Sequence, residues 1–212
     1  MRWPSKIGVM VLPNVILFPQ AFMPLYIFEP RYREMLRHSL ETHRLFCVAM
    51  QKPGWKRESP LGVAGLGLIR AAREHADGSS HLIIQGLARV RLQSATRYRP
   101  YRTHPFDVLP SMISNSERAE ALAGRLLELV ADRLQSGAPV AQGLEALVES
   151  STDSGAGGIP GVHFLSQVSK PEQIADLVSW ALLSSPGQRQ LLLETLDVEA
   201  RLRCLIEILK AE

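Results

Sequence analysis

The apolar residues of this chain change their period near residue 110, and nothing else in the sequence constrains the fold as strongly. Before that point they come in short runs or strict alternation, punctuated by proline and glycine. After it they recur every three or four positions. Alternation lays one face of a strand on a core, and a 3.6-residue spacing does the same for one face of a helix. Strands first and helices second predict an α+β protein with segregated layers. The units expected are a β-rich lobe over residues 1–110 and a helical lobe over 111–212.

Charge divides at nearly the same place. Residues 1–105 carry 16 Lys/Arg against 6 Asp/Glu, a balance of +10, whereas residues 106–212 carry 8 against 15, a balance of −7. A swing of that size marks two units of different character, which attract each other or seek different partners. The +3 net charge of the whole chain hides it.

In the first half, Ile7–Leu12 reads as a strand stopped by Pro13, and Met23–Phe28 as another closed by Pro30. Leu45–Met50 is apolar throughout, the signature of a strand buried on both faces. Leu61–Ala71 runs to the polar tip His75-Ala76-Asp77-Gly78-Ser79, where Asp-Gly predicts a hairpin. His81–Gln85 is the return strand. Ala88–Leu92 alternates, with Arg89 and Arg91 expected on a wet face, and Tyr101–Leu109 is a last strand interrupted by Pro105. One helix is inserted. Pro30 suits its first position, and Tyr32, Met35, Leu36 and Leu40 share a face.

In the second half, Ser114-x-x-Glu117 resembles a capping box, followed by the stripe Leu122, Leu126, Leu129, Val130 and Leu134. Val140–Ser150 reads as a short helix and Ser151–Gly161 as a Gly/Ser-rich loop. Pro171 opens a helix with Ile174, Leu177, Val178 and Ala181 inward. Ser185 caps the next, and Asp197 caps a last one bearing Leu202, Leu205, Ile206 and Leu209.

Few residues fall in patterns that carry chemistry. A phosphate loop needs Gly-Lys-Ser/Thr, and no lysine of this chain follows a glycine. Gly62, Gly65 and Gly67 lie in a strand-like run, where glycine serves bending or close backbone approach. The six histidines are scattered without HExxH spacing. His75 and His81 flank the hairpin tip and can face each other, but read as solvated loop residues. No nucleophile elbow is present, and Ser169 beside Lys170 reads as a helix cap. Catalytic, cofactor and metal residues are therefore expected to be none. Cys47 and Cys204 sit among apolar neighbours and read as buried thiols of a reducing compartment. The first residues do not form a signal peptide, and no apolar run approaches the roughly 20 residues that cross a bilayer. Cytoplasmic location and no membrane partner are the expectations.

Two surfaces remain. Phe18, Phe22, Tyr26 and Trp55 fall in or beside irregular segments and are candidate anchors for a polypeptide partner. Arg89, Arg91, Arg97 and Arg99 with Tyr98 form an alternative, RNA-binding surface, since arginine pairs with phosphate and tyrosine stacks on bases.

The segment Leu12-Pro13-Asn14-Val15-Ile16-Leu17-Phe18-Pro19 leads into Met23-Pro24-Leu25-Tyr26-Ile27-Phe28-Glu29-Pro30-Arg31-Tyr32. It resembles the opening of the substrate-recognition domain at the N-terminus of Lon-type ATP-dependent proteases. Arg31–Met35, Leu61–Ala64, Asp77-Gly78 and Ile84–Val90 resemble the first helix, the next strand, the hairpin and the strand after it in that family. Ile174–Val178, Gln190–Glu194 and Val198–Leu202 resemble its helical pattern, whereas residues 136–168 do not align. The resemblance implies a PUA-like β-barrel followed by a helical bundle. It also implies capture of unfolded or tagged polypeptides and contacts between copies of the chain. It gives Leu17, Phe18, Pro19, Pro24, Phe28, Arg31 and Tyr32 a framework role. No ATPase or protease motif accompanies it, so the expectation is a non-enzymatic recognition module standing alone, an adaptor in proteolysis or quality control.

Overall fold

Proline sets the first element boundaries. β1 (Ile7–Leu12) ends against Pro13, and α1 (Pro30–Glu41) starts on Pro30, whose missing N–H leaves no intrahelical bond unmade there. The computed structural model of the protein describes residues 3–55, 57–135 and 168–211, and the chain forms two compact units, Met1–Pro110 and Ser111–Glu212.

The first unit is built on a seven-stranded sheet. Besides β1 it contains β2 (Phe22–Ile27), β3 (Leu45–Met50), β4 (Val63–Glu74), β5 (Ser80–Leu92), β6 (Arg102–His104) and β7 (Phe106–Leu109). The order is β2-β5-β4-β3-β1-β6, with β7 beside β5. Only β1 and β3 are parallel, in register from Val9 with Cys47 to Leu12 with Met50. The expected last strand is split at Pro105. Its first part pairs with β1 and its second with the C-terminal half of β5, so one bent segment closes β1, β3, β4 and β5 into a barrel and leaves β2 at the edge. The expected strands at His81–Gln85 and Ala88–Leu92 are a single strand, β5. Its register against β4 shifts between Leu66 and Gly67, so Gly86 bends the strand without ending it.

β3 is buried at every position. Phe46 and Val48 join Met10, Leu17, Met35 and Ile84 in one apolar cluster, while Leu45, Cys47 and Ala49 join Val9, Leu66 and Val90 in another. The segment after β1 lies across the sheet on the side of the first cluster. It is entered through Asn14 and left through Gln20, both with positive φ. A Cβ at Gly65 would run into the Leu17 carbonyl, and one at Gly86 into the Phe18 carbonyl. Gln20 N–H donates to Gly86 O at 2.9 Å, and Gly86 N–H to Ala21 O at 2.9 Å. The strand glycines therefore serve close backbone approach. This passage also explains a correction. Arg89 is paired with Gly65 on the covered side and is buried, whereas Arg91 is exposed as expected.

On α1, Tyr32, Met35 and Leu36 face inward, but Leu40 is exposed and Ser39 takes the fourth buried place. The Tyr32 hydroxyl accepts from Val11 N–H at 3.1 Å and lies 2.6 Å from Glu58 Oε1. Glu58 Oε2 receives Arg31 at 2.5 Å and lies 3.6 Å from Arg102 Nε. Burial and Glu58 hold the Tyr32 proton well above the ordinary tyrosine range, so the group stays a neutral donor. The carboxylate thus pins the loop after β3 to α1.

The second unit contains α2 (Ser116–Gln135), α3 (Pro171–Leu182), α4 (Pro186–Glu194) and α5 (Val198–Ala211). Asn115, not Ser114, caps α2 by accepting from Arg118 N–H at 2.9 Å. Ser169 caps nothing, because Lys170 takes the cap position and Pro171 the first turn. Ser185 and Asp197 cap as expected, through Gln188 N–H and Ala200 N–H. The stripe of α5 is buried, and so are Ile174, Leu177, Val178 and Ala181 of α3. Cys204 on α5 is only half-buried, unlike Cys47. The readings of Val140–Ser150 and Ser151–Gly161 lie outside the described residues.

An ion pair sits at the centre of this unit. Arg201 has 0% exposure and donates from Nη1 to Asp176 Oδ1 at 2.9 Å. Its Nε reaches Thr195 O at 2.9 Å, and its Nη2 reaches Ser111 Oγ at 3.2 Å and Leu196 O at 3.3 Å. Such a pair is tolerated because the guanidinium is fully engaged, and its loss from one side strands a charge.

Two stability changes are expected in urea. Gly65→Ala costs about 2 kcal/mol or more, because the obstacle is backbone that cannot turn aside, while Gly62→Ala, with open space around it, stays within about 0.5 kcal/mol of the parent. Asp176→Ala costs about 3–5 kcal/mol by removing the carboxylate that faces the buried Arg201 guanidinium, and an unchanged unfolding midpoint would refute this account of the pair.

Candidate functional site

Among the described residues β2 hydrogen-bonds only to β5, so its far side is an open edge of the described sheet. Ala21 O accepts from Gly86 N–H, its register partner. By the alternation of an antiparallel ladder, the backbone groups of residues 23, 25 and 27 then point to β5 and those of 22, 24 and 26 to the open edge. Pro24 is thereby placed where a missing N–H costs the sheet nothing. Side chains alternate as well. Met23, Leu25 and Ile27 pack inward, and Phe22, Pro24 and Tyr26 face solvent.

On that outer face the register sets Phe22 beside Gln85, Pro24 beside Ile83 and Tyr26 beside His81. Phe22 is 39% exposed, Tyr26 49%, Ile83 44% and Phe28, just past the strand, 61%. The Tyr26 ring stacks on Phe28 with centroids 5.8 Å apart and tilts against His81 at 4.7 Å. A shallow pocket of about 280 Å³ lies alongside, lined by Pro24, Ala71, Arg73, His81 and Ile83. Arg70, bonded to Gln85 at 2.7 Å, and Arg73 give the face a basic rim. Clustered exposed apolar side chains of this kind make the face a candidate binding surface.

The four candidate anchors separate. Phe22 and Tyr26 stand on this face. Phe18 has 0% exposure and belongs to the core, because its segment is the one pressed onto the strand glycines. Trp55 is exposed on the loop after β3, under the Lys52 ammonium at 5.3 Å from the ring centroid. The expected framework role of Phe28 is corrected too, since its ring lies in solvent. Phe28 and Ile83 are the residues sequence reasoning missed. The period-two repeat of Phe22, Pro24, Tyr26 and Phe28 on a proline-bearing strand was the available signal.

The arginine–tyrosine surface is more dispersed than expected. Arg97, Tyr98 and Arg99 are exposed. The Arg102 guanidinium covers the Tyr98 ring at 5.0 Å, and Arg97 lies over buried Tyr101 at 4.9 Å. Arg89 is interior and takes no part in an outer surface.

A second concavity, about 820 Å³, opens between α1 and the β4–β5 hairpin, lined by Pro30, Arg33, Arg37, Leu40, Glu74 and Gly78. Arg37 is engaged by Glu34 at 2.6 Å and Glu41 at 3.0 Å, and Arg33 packs over Gly78. Among the described residues no three His, Cys, Asp or Glu side chains are grouped to hold a metal ion, and no helix is long and apolar enough to cross a membrane.

The chain resembles known proteins over nearly its whole length. The family model of the substrate-binding domain of ATP-dependent protease La (LON) matches residues 6–211. The Lon protease of Desulfosudis oleivorans is 23% identical over 95% of this chain, and that of Methylocella silvestris 26% identical over 97%. The chain spans 23% and 24% of the length of these two relatives. Among solved structures, the N-terminal domain of Lon protease from the Mycobacterium avium complex superposes with a TM-score of 0.72 at 18% identity, covering 97% of this chain and 98% of that one. A Lon N-terminal domain protein from Xanthomonas campestris gives 0.66 at 18% identity, covering 96% and 98%. Together with the α+β fold, these matches show that the chain belongs to the LON substrate-binding domain family.

Proposed function

We propose that the outer face of β2 and β5 binds extended segments of unfolded polypeptide, and that the protein acts as a recognition module serving ATP-driven proteolysis. The observation that carries this reading is the exposed cluster Phe22, Tyr26, Phe28 and Ile83 beside a strand edge that no described residue pairs with. An incoming strand finds backbone groups of Phe22 and Tyr26 to pair with and aromatic rings for its alternate side chains, the arrangement of β-augmentation. Backbone pairing is blind to sequence, and apolar contact is nearly so. Such a site selects for chains that are extended and apolar, which is what distinguishes unfolded protein from folded. The basic rim favours guests carrying acidic residues.

The family relation supports a role in substrate choice, with unfolding and peptide cleavage performed by ATPase and protease domains. The competing RNA reading rests on Arg91, Arg97, Arg99 and Tyr98. It requires affinity to fall steeply with salt, whereas an apolar strand site loses little.

With a permanently unfolded, fluorescently labelled protein as probe, Phe22→Ala and Tyr26→Ala each weaken binding by about 30-fold, or about 2 kcal/mol, with the circular dichroism spectrum unchanged. Phe18→Ala instead costs about 3–5 kcal/mol of folding stability. Unchanged affinity in the Phe22→Ala, Tyr26→Ala, Phe28→Ala triple variant would remove the site from this face. Raising salt from 50 to 200 mM lowers polypeptide affinity by less than about threefold, whereas a loss of about 10³-fold would point to phosphate-type contacts.

A further inference from the structure

The hairpin at the end of β4 and β5 carries a histidine pair that the polypeptide site does not require. His75 N–H donates to Ser79 O at 2.8 Å and His81 pairs with Arg73, so both imidazoles leave the hairpin on the same face, one step apart on neighbouring strands. His75 Nε2 lies 2.7 Å from His81 Nδ1, with the ring planes at 88° and the centroids 4.9 Å apart. The tip beneath them is a hydrogen-bonded turn. Gly78 adopts positive φ, and Asp77 Oδ1 accepts from Ser79 N–H at 2.9 Å and from Ser79 Oγ–H at 2.6 Å. Two ring nitrogens are thus held together by backbone geometry, within reach of solvent.

We propose that His75 and His81 form a bidentate site for a divalent transition-metal ion of tetragonal preference, Cu²⁺ or Ni²⁺, with water completing the shell. The spacing of the two nitrogens suits such an ion. Metal–imidazole bonds of about 2.0–2.1 Å put two nitrogens about 2.9 Å apart at a right angle and about 3.3 Å apart at a tetrahedral one. The observed separation lies closer to the right angle, the geometry of square-planar and tetragonal ions, and the affinity order of such ions peaks at copper. Loading needs one change of tautomer. The ring that now donates moves its proton to its other nitrogen, so that both facing nitrogens present lone pairs, and both exposed rings turn away from the line between the two nitrogens until these converge on one point. The carboxylates of Asp77 and Glu74 supply negative charge at this end of the hairpin, opposed by the Arg73 guanidinium on the strand beside His81. Because His81 lies against the Tyr26 ring, an ion here also alters the rim of the aromatic face. The metal site does not depend on that face binding polypeptide.

The test is titration of the folded protein with Cu²⁺, Ni²⁺ and Zn²⁺, followed by calorimetry and, for Cu²⁺, by electron paramagnetic resonance. The parent takes up one more equivalent than the His75→Gln, His81→Gln double variant, in the order Cu²⁺ above Ni²⁺ and Zn²⁺. The additional copper signal carries superhyperfine splitting from two nitrogens, and either single substitution weakens that uptake by about tenfold or more. Comparison with the double variant removes binding at the other histidines. Equal uptake by parent and double variant overturns the proposal, and so does an additional copper signal without imidazole nitrogen.

Discussion

The first unit is organised by one close approach, the Leu17 and Phe18 backbone against the glycines of β4 and β5. Gly65 and Gly86 leave no side chain where the two carbonyls lie, so a stretch of loop packs on the sheet at backbone distance. Leu17 and Phe18 then enter the core from above the sheet rather than from within it. The same passage fixes where the chain re-enters the sheet, because Gln20 and Ala21 bond to Gly86 and so register β2 on β5. A methyl group at either glycine lifts the loop and loosens that register together with it. The aromatic face is thus a consequence of a packing event on the other side of the same strands.

Registration of β2 determines what the face can offer. A shift of one residue would turn Met23, Leu25 and Ile27 outward and bury Phe22, Pro24 and Tyr26. The inward set meets the cluster around Leu82 and Ile84, so burial enforces the present choice. Proline at position 24 agrees with it independently, since one step of slippage would aim the N–H-less nitrogen at β5.

Local signals made most of this legible in advance. Pro13, Pro30 and Pro171 marked ends that hold to the residue, and the unbroken apolar run Leu45–Met50 announced a strand covered on both sides. Ser185 and Asp197 were readable as caps because capping is decided within four residues. What escaped was decided at long range. Arg89 looked solvated from its alternation, but it pairs with Gly65, the glycine that the Leu17 backbone crosses, and it is buried. Phe18 looked like a loop aromatic for the same reason in reverse. Phe28 looked like framework because a family resemblance does not say which way a residue faces. The motif positions Asp176 and Arg201, 25 residues apart, gave no hint of pairing, yet they form the ion pair on which α3 and α5 meet.

An exposed edge strand lined with aromatic rings is also an invitation to aggregate, and the composition of this one limits the hazard. Pro24 interrupts the row of donors at its middle, so a long regular strand cannot pair along the whole edge. Arg70 and Arg73 add like charge to any second copy of the face, which opposes stacking of two such surfaces while leaving a neutral or acidic guest unhindered. The strand is six residues long, which bounds the backbone pairing to a few bonds. Each device weakens binding as well as aggregation. On the proposed reading, a surface of this design would hold an unfolded segment through two or three aromatic contacts and release it readily, as a module must if its guests are to pass on to another machine.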